Sequence, residues 1–172
     1  MPLGKSDRQG KVAGMTDPLK RRAEVALAAA LPAWVRALPI AVDDLRPGLA
    51  RLRLAPVAAT RLGKGTIAAQ AILALADAAM RAAVETIADG RQSTAAGVTA
   101  SFLSAPAGDV DLLAEARILK AGSTLVVGEA FLRADGDDRP VAHAVLTFAW
   151  VTRTPDRRAL PRGRRASRRS RS

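Results

Sequence analysis

The sequence predicts an α+β domain in which one long helix lies against an antiparallel sheet of five to six strands. Three observations lead there. The stretch "GTIAAQAILALADAAMRAA", residues 65–83, is apolar at nearly every position and is longer than a strand, which predicts a buried helix. Before it, "LARLRLAP" alternates basic and apolar residues, the period of a half-buried strand. After it, four β-type runs are separated by "SAPAGD", "KAGS" and "ADGDD", short turn signals that join antiparallel neighbours.

Residues 1–16 are rich in Gly, Lys and Asp without periodicity and read as a flexible extension. The domain is expected over residues 17–151. Asp17 and Pro18 form an N-cap and first-turn pair for an N-terminal helix running to about Leu31, which Pro32 and Pro39 break. A short strand at residues 40–42 turns through "DLRPG" into "LARLRLAP", where Ala50, Leu52 and Leu54 share one face and Arg51 and Arg53 the other. Gly-rich "RLGKG" then leads into the long helix, expected over residues 66–87. Strands at 95–103, 110–119, 124–133 and 140–151 follow as a four-strand meander. In the last of them Ala142, Ala144, Leu146, Phe148 and Trp150 share the face that the helix covers, so His143 points away as a sheet-surface residue.

The net charge of +11 suggests a nucleic-acid binder until it is located. Residues 152–172 hold nine arginines against one aspartate, and residues 1–22 hold six basic against two acidic residues, which leaves −1 for residues 23–151. The part that folds is therefore nearly neutral. The basic tail, 152–172, is too poor in apolar residues to pack and reads as disordered. Trp34 and Trp150 lie outside it and the chain has no Tyr, so stacking on bases is not indicated there.

There is no cysteine and a single histidine, His143, which excludes a cysteine-ligated or His-rich metal site within one chain. No metal or redox cofactor is expected, and a reducing compartment, the cytoplasm, fits the composition. "KRRAEVALAAALPAWVRA" has the basic flank and apolar run of an export signal, but Glu24 enters the run early and an amphipathic helix is the simpler reading. No membrane span is expected, because Gln70, Asp77 and Arg81 interrupt the long helix.

Those three residues raise the functional question. At helical spacing, Gln70, Leu73, Ala74, Asp77, Met80, Arg81 and Val84 share a face, with Gln70 and Asp77 about 10 Å apart along the axis. Asp77 at the surface would pair with Arg81 one turn on, worth a few tenths of a kcal/mol. Inside, a carboxylate costs several kcal/mol unless hydrogen-bonded, and would be there for a purpose. Spacing alone leaves both open.

The order of elements, together with "GTIAAQAILALADAAM" and "VTASFLSAPAGDVDLLAEARILKAGSTLVVGEAFLRADGDDRPVAHAVLTF", resembles the hot-dog-fold thioesterases of the phenylacetate-pathway type over residues 40–151. The most specific elements are a Gly-Thr turn into a helix with Leu-x-Asp eleven to twelve residues on, Phe-Leu-x-x-Pro followed by Gly-Asp, and Lys-x-Gly before a strand. The resemblance implies a central helix wrapped by the sheet, protomers joined edge to edge as a homodimer or dimer of dimers, and acyl-CoA sites at the dimer interface. It implies Asp77 as base or nucleophile at the thioester carbonyl. The oxyanion donor would be a backbone N–H at the start of the same helix, that of Ala69, where free amides and the positive dipole end lie. Ala68, Ala69 and Gln70 stand where the family has His-Gly-Gly, and Leu62 where it often has Asn. Gln70, Ala68 and Leu62 are thus the expected substrate-binding positions.

Three functional classes follow. The first is an acyl-CoA thioesterase acting on a small or medium acyl group. The second is a hot-dog protein that binds acyl-CoA or another acyl ligand without turnover, which the residues at Leu62, Ala68 and Ala69 favour. The third is a nucleic-acid-associated protein acting through its basic tail, for which a solubilising tail is the simpler account.

Overall fold

The computed structural model describes residues 18–151; the N-terminal extension with Asp17, and the basic tail, lie outside them. Helices α1 (Pro18–Ala30) and α2 (Ala33–Arg36) precede strands β1 (Ile40–Arg46) and β2 (Leu49–Leu54). Helix α3 (Ala69–Glu85) follows, then β3 (Ser93–Phe102), β4 (Leu112–Ala121), β5 (Leu125–Ala134) and β6 (Pro140–Trp150). Six strands form one antiparallel sheet in the order β1-β2-β4-β5-β6-β3. No helix among the described residues is long and apolar enough to cross a membrane.

The expected meander holds only for β4, β5 and β6. β3 does not neighbour β4: one edge of β4 is taken by β2, with Leu52 opposite Ala114, and the other by β5. β3 instead lies along β6, with Val98 opposite Leu146, and "SAPAGD" is a crossing connection rather than a hairpin turn. β1 is also longer than expected. It runs through Asp43 and Asp44 with a bulge between Val42 and Asp44, because the turn is tightened onto Pro47 and Gly48, the latter at φ 76°. Pro32 ends α1 as expected and then serves as N-cap of α2, which was too short to show a period.

α3 is buried on nearly every side. Seven of its buried residues are alanines, and these small side chains let the strands approach closely on one side and α1 on the other. α1 is fastened by buried Ala23 and Leu27 and by an ion pair from Arg22 to Glu85 at 3.2 Å. The β2 and β6 faces fall as their alternation predicts: Ala50, Leu52 and Leu54, and Ala142 through Trp150 in steps of two, all face the core.

Closest approach occurs at Gly128 of β5. A Cβ there would stand 2.6 Å from both the Arg117 carbonyl oxygen and Met80 Sδ, and while Met80 is flexible, the carbonyl belongs to the paired strand. Gly128→Ala is expected to destabilise the fold by about 1–3 kcal/mol, read as a lowered denaturation midpoint with unchanged slope.

His143 lies on the outer face, where its ring stacks on Phe131 with centroids 4.4 Å apart and its Nε2 sits 2.9 Å from Glu129 Oε2. Arg117 Nε donates to the other oxygen of Glu129 at 2.6 Å. The bond to His143 and then that from Arg117 hold the Glu129 carboxyl below its ordinary value of 4.5. A lowered value in the folded state gives stability that is present above about pH 4.5 and is lost as pH falls through the folded value. Glu129→Gln should therefore flatten the pH dependence of the thermal midpoint below about pH 4.5.

Candidate active site

α3 leaves one stripe uncovered: Gln70, Leu73, Asp77, Arg81 and Glu85, spaced by three and four residues. Met80 and Val84, expected on the same face, are turned into the core, Met80 against Gly128. The stripe is open because the sheet curls round α3 without closing. On one side it meets α2 and on the other β3.

Between them lies a cavity of about 430 Å³. α3 supplies Gln70, Leu73, Ala74 and Asp77; α2 supplies Trp34 and Val35. Gly97 and Val98 of β3 and Leu146 of β6 complete a largely apolar wall, in which Asp77 is the one charged residue among the described residues.

Asp77 meets both readings of its spacing. Its Oδ2 accepts from Arg81 Nε at 2.7 Å, so the i,i+4 pair is formed, and the side chain is 30% exposed at the cavity wall. Arg81 in turn lies over the ring of buried Phe148 at 5.1 Å, which fixes the guanidinium behind the carboxylate. Among the described residues Asp77 Oδ1 has no hydrogen-bond partner.

At the other end of the stripe, Ala68 is the N-cap of α3 in extended conformation, φ −67° and ψ 141°, with no side chain capping the helix. The amides of Ala71 and Ile72 bond to the Ala68 carbonyl. Among the described residues no acceptor meets the N–H of Ala69 or Gln70, so two donors are free at the positive end of the helix. α3 begins three residues later than expected because Thr66 and Ile67 are held in bridges to Ala107 and Arg61. Ala68 N–H donates to Thr60 at 2.8 Å, Ile67 N–H to Pro106 at 3.0 Å and Gly108 N–H to Gly65 at 2.7 Å. Gly108 is required there, since a Cβ would stand 2.7 Å from the Gly65 oxygen. "RLGKG" and "SAPAGD" thus brace the helix start.

Of the expected site residues, Asp77 and Gln70 meet in the cavity, and Ala68 and Ala69 sit at the helix N-terminus. Leu62 stands apart, 53% exposed in the preceding loop and outside the cavity lining. The eight residue steps from Ala69 to Asp77 span about 12 Å of helix. A carbonyl within about 3 Å of the Ala69 amide lies beyond direct contact with Asp77 of the same helix copy. Trp34 and the β3 segment at Gly97 and Val98 were not among the expected site residues. The one signal was a tryptophan set between Pro32 and Pro39 in a segment too short for periodicity. Among the described residues no group of His, Cys, Asp or Glu could hold a metal ion.

The family model of the thioesterase superfamily matches residues 64–141, from the loop before α3 to the start of β6. Among solved structures, a conserved protein of Pseudomonas aeruginosa is 28% identical, with a TM-score of 0.65 over 73% of this chain and 99% of its own. A thioesterase family protein of Silicibacter pomeroyi is 21% identical with a TM-score of 0.70, over 77% of this chain and 98% of its own. The PaaI protein from the phenylacetic acid degradation operon of E. coli is 20% identical with a TM-score of 0.67, over 78% of this chain and 96% of its own. The last two likenesses bear on fold alone. No curated protein matches the chain.

Proposed function

We propose that this chain is a hot-dog-fold thioesterase, as the family match over residues 64–141 supports, and that it hydrolyses acyl-CoA thioesters of small or medium acyl groups, with Asp77 as general base and the Ala69 N–H as oxyanion donor. The observation that carries the reading is a half-buried carboxylate set in the wall of a cavity that is apolar apart from Gln70. Asp77 stays tied to Arg81 through Oδ2, and accepting a proton from water requires only the other oxygen. Water oxygen bonds to the thioester carbonyl carbon as its proton passes to Asp77, and the negative charge on the carbonyl oxygen is met by the free amide at the start of α3. Collapse breaks the C–S bond, the proton returns from Asp77 to the leaving sulfur, and a carboxylic acid and a free thiol result.

Ala69 and Asp77 of one helix copy stand about 12 Å apart along the axis, which supports a site shared by two protomers, the amide from one and the carboxylate from the other. The two sheet edges differ in a way that favours one of them for this purpose. Both edge strands carry a bulge, β1 between Val42 and Asp44 and β3 between Ala95 and Gly97, but β1 also carries Asp43, Asp44 and Arg46, charges that discourage pairing. β3 has no charged residue, and its Val98 is 58% exposed. Pairing of β3 with β3 of a second copy gives a C2 dimer in which residues flanking one α3 face those of the other.

A second reading, acyl-ligand binding without turnover, is favoured by the position of Leu62 outside the cavity and the engagement of Asp77 by Arg81. Thiol release measured with the full chain over a panel of acyl-CoA thioesters separates them. Saturable hydrolysis of uncharged acyl groups is expected; saturable binding with no thiol release would select the second reading, and neither would remove both.

A further inference from the structure

We infer that Trp34 forms the outer wall of the acyl subsite and sets the length of acyl chain that the cavity admits; this rests on the thioesterase reading above. Trp34 is 56% exposed although it is among the largest apolar side chains in the protein, and its indole borders the same cavity as Asp77. Its mount is rigid. Val35 beside it is buried, the amides of Val35 and Arg36 both bond to the Pro32 carbonyl, and Arg36 reaches back to the Ala28 carbonyl of α1 at 3.2 Å. An aromatic side chain carried on a braced turn at the border of an apolar cavity, yet left open to water, is placed to be covered by a ligand.

The occupant follows from the lining. Leu73, Ala74, Val98 and Leu146 offer apolar contact in the cavity that Asp77 and Trp34 also line, and among the described residues no Lys or Arg lines it. An acyl group bearing a second carboxylate would find the nearest guanidinium, that of Arg81, already engaged by Asp77, whereas an uncharged hydrocarbon chain can run from a carbonyl at Asp77 to a terminus at Trp34. The indole is then the stop that longer chains meet.

Two readouts test this, one of them independent of turnover. The chain has two tryptophans, and Trp150 is 6% exposed with its indole N–H donating to the Gly122 carbonyl, so a change in emission on ligand binding reports on Trp34. Titration of the full chain with S-alkyl-CoA thioethers of increasing chain length, which resist hydrolysis, should shift emission to the blue in a saturable manner, and Trp34→Phe should abolish the shift. Trp34→Ala should raise kcat/KM for long relative to short acyl-CoA by about tenfold or more. Binding seen by calorimetry with unchanged emission, no binding at all, or a chain-length profile unchanged in Trp34→Ala would each overturn the inference. An emission shift without any thioester hydrolysis would leave the acyl subsite standing and remove the thioesterase reading instead.

Discussion

Asp77→Ala is expected to lower kcat for acyl-CoA hydrolysis by about 10²–10⁴-fold while KM changes little, because the carboxylate acts on the water proton in the transition state rather than on bound substrate. Asp77→Asn should lose nearly as much. The amide keeps the size of the side chain and a contact to the cavity but cannot accept the proton, so the pair of variants separates chemistry from packing. Stability should move little in either, since the pair with Arg81 is partly exposed and ion pairs of this kind contribute on the order of 1 kcal/mol or less. Steady-state thiol release with thermal melts on the same samples provides the check. Wild-type kcat in Asp77→Asn would remove this residue from the mechanism.

Ala69→Pro is the second large effect, and it isolates a single backbone hydrogen-bond donor. Proline is well accepted at the first position of a helix, where its missing N–H breaks no helical bond and its fixed φ is already helical. Here Ala69 is that first residue, and Ala68 before it has φ −67° and ψ 141°, the extended conformation a following proline requires. No acceptor among the described residues meets the Ala69 amide, so the substitution removes no bond of the fold. The thermal midpoint should be unchanged or slightly raised, while kcat falls by about 10²–10³-fold through loss of the oxyanion donor. A variant that melts normally and hydrolyses normally would show that the amide is not used.

The contrast between what the sequence yielded and what it did not follows the range of the interactions involved. Alternation in "LARLRLAP" and in β6 reports a local property, which face a side chain takes, and Leu52, Leu54, Leu146 and Phe148 fall where it places them. The spacing of Gln70 and Asp77 likewise placed them on one open stripe of α3. Strand partnership is non-local: whether β3 lies beside β4 or β6 depends on β2 having taken the edge of β4, and nothing within "SAPAGD" records it. α2 escaped notice because four residues hold barely one turn, and with it went Trp34. β1 looked short because Asp43 and Asp44 disfavour a strand, yet Arg53 bonds to Asp43, Asp111 and Asp135 at 3.1, 2.7 and 3.1 Å and ties that end of the sheet together. Asp77 and Ala69 both fall on α3, and in the proposed mechanism the rise of the helix between them is the reason for assigning the two groups to different copies.

That division of each site between two protomers is the central claim, and mixing the two variants tests it most directly. Asp77→Ala and Ala69→Pro protomers, each inactive alone, are unfolded together and refolded so that chains exchange. If Asp77 comes from one copy and the Ala69 amide from the other, each mixed dimer has one site lacking both groups and one site with both intact. Hydrolysis should then recover to about a quarter of the wild-type level, since half of the dimers are mixed and half of their sites are whole. Mixed dimers that form in this proportion and remain inactive would contradict the account.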